Sequence, residues 1–222
     1  MFLCIPDVLD EPALKSLRDA IANLEFEDGK ATAGWHARDV KNNRQAVPTA
    51  ALRHVQRIVV DALENNDVFR AAVQPRQFAP PLISRYAGGE AYGTHVDDAL
   101  MGQSPRLRSD LSVTVFLAPL ADYDGGELIA ETLAGEDAVR LEAGSAVVYP
   151  SSMLHRVAPV TRGERLVAVT WVQSHVRDPA AREVLFDLEQ IRREVFAAQG
   201  KGRAFDLVCK TYANLLRRWA DI

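Results

Sequence analysis

The sequence predicts an α+β fold: a double-sheet jelly roll of the cupin-like, double-stranded β-helix kind, braced by N-terminal helices and followed by a C-terminal helical hairpin. Three observations carry this expectation. Between residues 82 and 173, short runs rich in Val, Leu and Tyr alternate with Gly, Pro and Asp turns, the pattern of a sandwich or barrel. Before residue 65, apolar residues repeat at helical spacing. After Asp178-Pro179 the helical period returns. The expected organisation is one jelly-roll domain over 1–178 and a helical extension over 179–222. A chain of 222 residues that is 48% hydrophobic is sized for such a core with a small appendage.

The elements follow in order. Asp10 is suited to cap a helix with Pro12 in its first turn, and Leu14, Leu17, Ile21 and Leu24 share one face. Asp28-Gly29 closes that segment with a turn. A second helix starts near Thr49 and carries Leu52, Val55, Val59 and Leu63 on one side. Both would brace a sheet from outside. Strands are expected at 82–86, 111–117, 127–131, 138–141, 146–149, 156–160 and 166–173. Thr161-Arg162-Gly163-Glu164 reads as a polar turn joining the last two into a hairpin. Asp124-Gly125-Gly126 reads as a tight hairpin turn whose glycines take positive φ. In the tail, Val184, Leu188, Ile191 and Val195 form one stripe. Gln199-Gly200-Lys201-Gly202 interrupts it, and Phe205, Val208, Tyr212, Leu215 and Trp219 form a second. Amphipathic tail hairpins serve packing or self-association, and the expectation here is a homo-oligomer formed through these helices.

Composition excludes several functions. A net charge of −4 gives no general attraction to nucleic acid. No apolar run approaches the ~18 residues of a membrane span. The apolar start, Met1 to Pro6, is too short for a signal peptide and has no basic residues before it. Cys4 and Cys209 form no paired motif and read as reduced thiols of a cytoplasmic protein.

The chemistry lies in His95-Val96-Asp97, a later His155, and Arg165 ten residues beyond it. Two imidazoles and one carboxylate are the ligand set that leaves open positions on a non-haem Fe(II). Residues i and i+2 of a strand share a face, so His95 and Asp97 would reach one metal while Val96 points into the wall. His155 would come from a neighbouring strand. Arg165, as the hairpin partner of that strand, would lie deeper in the barrel and grip the far carboxylate of a bidentate organic co-substrate. With five histidines and thirty acidic residues, a His-x-acid triplet is expected about once by chance. The ensemble of triplet, distal histidine, arginine and surrounding strands is what makes the reading specific. His36, His54 and His175 lack any partner pattern and read as structural or exposed.

Four stretches carry a family resemblance: RYAGGEAYGTHVD (85–97), DLSVTVFLAPLADYDGGEL (110–128), AGSAVVYPSSMLHRVAPVTRGERLVAVTWVQS (143–174) and RDPAAREVLFDL (177–188). On these the chain resembles the bacterial PKHD-type hydroxylases, Fe(II)/2-oxoglutarate dioxygenases similar to the prolyl 4-hydroxylase catalytic domain. The likeness extends to KNNRQ (41–45) and the tail, and the chain resembles the subgroup associated with bacterial iron uptake, which implies a setting in iron homeostasis. The resemblance implies that His95, Asp97 and His155 bind iron and that Arg165 anchors 2-oxoglutarate. It implies O2 and an organic substrate as reactants, succinate and CO2 as co-products, and L-ascorbate as a reductant. Tyr86 and Tyr92 flank the glycine loop before the triplet. A hydroxyl there would bond the co-substrate carboxylate or simply fill the core. Trp171 shares a strand face with Arg165 and lines the pocket or fills the barrel. Asn42 and Asn43 are substrate-loop residues or an ordinary turn. The alternatives in other classes are a metal-dependent cupin-like binding or sensing barrel without turnover, and a zinc hydrolase. Neither needs a cation at Arg165.

Overall fold

The computed structural model describes residues 2–102 and 106–221. Strand β1 (Leu3–Ile5) leads into helix α1 (Glu11–Ala22), strand β2 (Phe26–Asp28), 3-10 turns at Gly29–Thr32 and Arg38–Val40, and strands β3 (Lys41–Asn42) and β4 (Arg44–Ala46). Helices α2 (Ala50–Asn65) and α3 (Asp67–Val73) precede β5 (Pro75–Phe78), β6 (Leu82–Ala87) and β7 (Ala91–His95). Then come the short pair β8 (Leu100–Met101) and β9 (Leu107–Arg108), followed by β10 (Leu111–Phe116), β11 (Tyr123–Gly125), β12 (Leu128–Thr132) and β13 (Gly135–Val139). The sheets are completed by β14 (Ala146–Pro150), β15 (His155–Val157) and β16 (Val160–Ser174), and the chain ends in α4 (Pro179–Gln199) and α5 (Arg203–Trp219).

The helices start where local chemistry says they should. The Asp10 carboxylate accepts from the Ala13 amide at 2.8 Å, and the Thr49 hydroxyl accepts from the Leu52 amide at 3.1 Å. Helix α3 was not anticipated. Asn66, which ends α2, also caps α3 by accepting from the Phe69 amide.

All strand pairs in the two main sheets are antiparallel. A nine-stranded sheet runs β1-β14-β10-β16-β6-β4-β2, with β5 and β11 also paired to β16. A five-stranded sheet runs β13-β12-β15-β7-β3. The expected jelly-roll architecture is present. Strand alternation sorts the large sheet's side chains between two cores. Leu111, Val113 and Val115 of β10, with Ala146 and Val148 of β14, pack under Leu17, Ile21, Leu52, Val55, Val59 and Leu63 of α1 and α2. Phe116, Val147, Tyr149 and Val167 face the other way, meeting Leu128 and Val157 between the sheets.

The structure corrects three sequence expectations. Thr161–Glu164 is not a turn. It is the start of β16, a fifteen-residue strand paired successively with β11, β6, β10 and β5. The reversal falls instead at Ala158-Pro159, where proline has no amide to continue a ladder. Consequently β15 and β16 are not partners: β15 belongs to the small sheet and β16 to the large one. In the tail, the buried residues of α4 are Ala181, Arg182, Leu185 and Glu189, whereas Val184 and Ile191 of the expected stripe are exposed. The packed face carries charges that find internal partners. Arg182 donates to the carbonyls of Val176 and Arg177 at 2.7 and 2.9 Å, and Glu189 pairs with Arg192 and Arg193. Apolar periodicity alone therefore marked the wrong side. The α5 stripe does pack: Tyr212, Leu215 and Trp219 cover Val176, Ala181 and Leu185.

Candidate metal centre and co-substrate pocket

His95 on β7 and His155 on β15 are directly opposed across the strand pair, with ring centroids 4.2 Å apart. This is how two residues sixty positions apart come to one point. Each Nδ1 faces a main-chain carbonyl two residues upstream: His95 that of Gly93 at 2.8 Å, and His155 that of Met153 at 3.0 Å. A carbonyl can only accept, so the N–H is on Nδ1 and the Nε2 lone pair is free. Both Nε2 atoms look onto the Asp97 carboxylate, at 4.0 Å from Oδ1 for His95 and 3.8 Å from Oδ2 for His155. One ligand atom from each of the three residues lies within 4.8 Å of the others. The donor set, the fixed tautomers and the spacing all fit a single divalent metal. Burial, reinforced by the charge of His155, holds His95 down to about 4, which keeps it in the neutral, ligating form.

Two details depart from the expected strand geometry. Asp97 lies beyond the end of β7, not within it, and Val96 is exposed rather than packed into a wall. What holds Asp97 is the opposite sheet. Ser112 of β10 donates to its Oδ2 at 2.5 Å and is itself linked to Ser151 Oγ at 2.8 Å. Neither serine was singled out from the sequence, since a serine in a hydrophobic strand carries no local signal of what it touches.

Arg165 is 1% exposed and lies on the barrel-facing side of β16. Its guanidinium sits 5.2 Å from the Tyr86 ring centre and 5.5 Å from that of Phe116. Among the described residues no carboxylate lies within 4.0 Å of it, and its Nε has no partner. Burial lowers its pKa, opposed by nearby tyrosines. Asp124–Gly126 is not the hairpin turn the sequence suggests: Asp124 and Gly125 belong to β11, paired with β16, and the chain crosses through Gly126 to β12 of the small sheet, although both glycines take positive φ as expected. Gly126, at φ +68°, lies against the arginine stem, and a Cβ there would come 2.8 Å from Arg165 Cδ. Gly126→Ala is therefore expected to cost ~1–3 kcal/mol in stability. The same change should displace the guanidinium, and with it weaken the 2-oxoglutarate binding that the sequence leads one to expect there. A denaturant midpoint and a 2-oxoglutarate titration equal to those of the wild type would refute this.

The metal ligands and Arg165 open onto one cavity of about 310 Å³. Tyr86, Tyr92 and Trp171 all line it. The Tyr92 ring stacks on His95 with centroids 3.7 Å apart. Tyr86 is 3% exposed, and burial raises its pKa, so it remains a hydroxyl donor. The indole Nε1 of Trp171 is buried without a partner among the described residues. His36 is exposed, as expected, and also lies at the cavity beside the Val96 carbonyl. Tyr149, Lys41 and Asn43 also line the cavity. Of the asparagine pair, Asn42 is exposed and Asn43 is 3% exposed. Residues 41 to 45 alternate buried and exposed, so Lys41, Asn43 and Gln45 share one inward face; KNNRQ is polar throughout and carries no such period in its sequence.

The model of the PKHD-type hydroxylase C-terminal domain matches residues 180–221, and that of the 2OG-Fe(II) oxygenase superfamily matches residues 81–173. A PKHD-type hydroxylase of Synechococcus sp. (strain JA-2-3B'a(2-13)) is 52% identical over 225 residues, with both chains covered completely. The chain belongs to the PKHD-type hydroxylases. Another member, from Gloeothece citriformis, is 51% identical and also covers both chains completely. As a PKHD-type hydroxylase, the protein is a 2-oxoglutarate-dependent dioxygenase of the 2OG-Fe(II) oxygenase superfamily. Solved structures share the fold at low identity. A Pseudomonas putida prolyl-4-hydroxylase has a TM-score of 0.52 at 19% identity, covering 78% of this chain and 92% of its own. HygX of Streptomyces hygroscopicus, solved with nickel and 2-oxoglutarate, has a TM-score of 0.56 at 13% identity, covering 79% and 84%. Among the described residues no helix is long and apolar enough to cross a membrane.

Proposed function

We propose that His95, Asp97 and His155 hold the Fe(II) of this dioxygenase and that Arg165, with Tyr86 beside it, binds the 5-carboxylate of 2-oxoglutarate. The observation that carries this reading is Arg165 itself. A guanidinium buried to 1% exposure without a carboxylate partner is costly, and it faces the cavity that holds the triad. An anionic co-substrate supplies the missing charge. When bound, the iron supplies oxygen activation, coupling decarboxylation of 2-oxoglutarate to succinate and CO2 with hydroxylation of an unactivated C–H bond.

The chain's own residues do the rest. The Gly93 and Met153 carbonyls orient the two imidazoles, and Ser112 fixes the carboxylate. The Tyr92 ring keeps His95 in plane by stacking. The Arg165 fork would supply two parallel charge-assisted bonds to the 5-carboxylate, and the Tyr86 hydroxyl could donate a third. Val157, Leu128 and Val169 wall the cavity and exclude water near the reacting centre. Trp171 lines the same cavity, and we place the organic substrate in the volume left beside it.

On the family likeness, we assign L-ascorbate as the reductant of iron oxidised in uncoupled turnover, and iron homeostasis as the setting. The free thiols Cys4 and Cys209 suit a reducing compartment, and we read the protein as cytoplasmic. We read residues 1–178 as the catalytic domain and 179–222 as its extension. Self-association through the tail would use its exposed Val184, Ile191, Phe196 and Leu207, and a monomeric mass in light scattering would withdraw it. The test of the central reading is aerobic incubation with Fe(II) and 2-oxoglutarate. Slow succinate release is expected even without the organic substrate. No release above an iron-only control would favour a binding or sensing barrel.

A further inference from the structure

The cavity holds a second buried cation that the chemistry above does not use. Lys41 lies on β3, the edge of the small sheet, in register opposite Tyr92, and is 4% exposed. Its Nζ donates to Thr32 Oγ1 at 2.8 Å and lies 5.2 Å from the centre of the Tyr92 ring that stacks on His95. Among the described residues no carboxylate lies within 4.0 Å of this ammonium. Asp97 and Asp28 are the charges that act on it, from farther away. Two residues on, Asn43 is 3% exposed and lies beside the Tyr86 hydroxyl, but among the described residues neither its Nδ2 nor its Oδ1 makes a hydrogen bond of good geometry. Gln45, next on the same inward face, is already used: it accepts from Thr32 Oγ1 and donates to Ser84 Oγ. Lys41 and Asn43 are thus the open polar groups of this wall. They are a charged donor and an amide whose needs only a ligand or water can meet.

We propose that Lys41, assisted by Asn43, is the anchor for a carboxylate of the primary substrate, which is therefore a small organic acid with an apolar body. The proposal rests on the Fe(II)/2-oxoglutarate reading of the cavity. In that reading both carboxylates of 2-oxoglutarate are accounted for, one at the metal and one at Arg165, so the charge of Lys41 is left for another anion. The ammonium takes one carboxylate oxygen and the Asn43 amide donates to the other. The body then lies along Ala33, Ala37, Leu82, Val96 and Met101, which line the same cavity. Burial lowers Lys41 to about 8, which is the behaviour of a desolvated cation lacking a counter-ion.

The experiment uses the full chain, anaerobic, with Fe(II) and saturating 2-oxoglutarate, monitored by the metal-to-ligand absorption band. Phenylacetate is the probe and phenylacetamide its uncharged counterpart. Phenylacetate is expected to perturb the band saturably, and phenylacetamide to bind at least about tenfold more weakly. Lys41→Met should weaken phenylacetate at least about tenfold, and Lys41→Arg should keep most of the binding. Asn43→Asp, which sets a carboxylate beside Lys41, should weaken it comparably and serves if the methionine variant does not fold. Four outcomes overturn the proposal: equal binding of acid and amide; no response of the wild type; variants that titrate like the wild type; or bleaching of the band, which would put the acid on the metal in place of 2-oxoglutarate. A Lys41→Met protein whose 2-oxoglutarate requirement rises as steeply as that of Arg165→Ala would also overturn it, by assigning Lys41 to the co-substrate. Failure of the underlying reading is separately visible, as a wild type that forms no band when 2-oxoglutarate is added before any probe.

Discussion

Arg165→Ala is expected to leave Fe(II) affinity largely intact while raising the 2-oxoglutarate requirement roughly 30- to 1,000-fold. The range follows from the ~2–4 kcal/mol of a charge-assisted, bidentate pair to a buried carboxylate. The upper part of that range is favoured by the surroundings. The guanidinium is 1% exposed, walled by Tyr86 and Phe116, so water does not screen the pair. Arg165→Lys should recover only part of the loss, since an ammonium keeps the charge but lacks the fork. The measurement is a titration of 2-oxoglutarate into the anaerobic Fe(II) protein, followed by the metal-to-ligand band. A curve for Arg165→Ala that overlays the wild type would leave only a three-residue metal site, and a binding barrel would become the better account.

Asp97→Ala is expected to abolish turnover and to weaken Fe(II) binding, because it removes the only anionic ligand of the set. The loss is compounded by position. Ser112 and both imidazoles are arranged around this carboxylate, and its removal leaves the Ser112 hydroxyl without its 2.5 Å acceptor. His155→Ala should behave in the same way. Undiminished 2-oxoglutarate decarboxylation in the aspartate variant would remove Asp97 from the site, and normal metal affinity in the histidine variant would require another third ligand.

Features held by interactions within a few residues were legible in the sequence. Asp10 and Thr49 cap their helices as read, because a cap is a bond to an amide three residues on. The break at Gly200–Gly202 separates α4 from α5 as expected. Strands 82–86, 111–117 and 146–149 fall within a residue of their observed bounds. His95, Asp97 and His155, whose ligand atoms the fold brings within 4.8 Å of one another, were recognisable as a set through their types and order.

The tertiary structure decided what depends on pairing at a distance. Alternation tells which residues share a face but not which sheet a strand joins. Nothing near Pro159 announces that β15 pairs with β7 and β12 while β16 crosses to β6 and β10. In β10 all six residues are buried, so even the alternation that would assign its faces is absent. Yet its Ser112 holds the metal-site aspartate from the opposite sheet. Lys41 and Asn43 became site residues only when β3 paired with β7 and turned their side chains into the cavity. Local spacing thus marked the helix ends, whose energies are short-range, while residue types and order marked the proposed ligands. The partners that orient those ligands, and the second cation of the pocket, arise from contacts between segments the sequence keeps far apart.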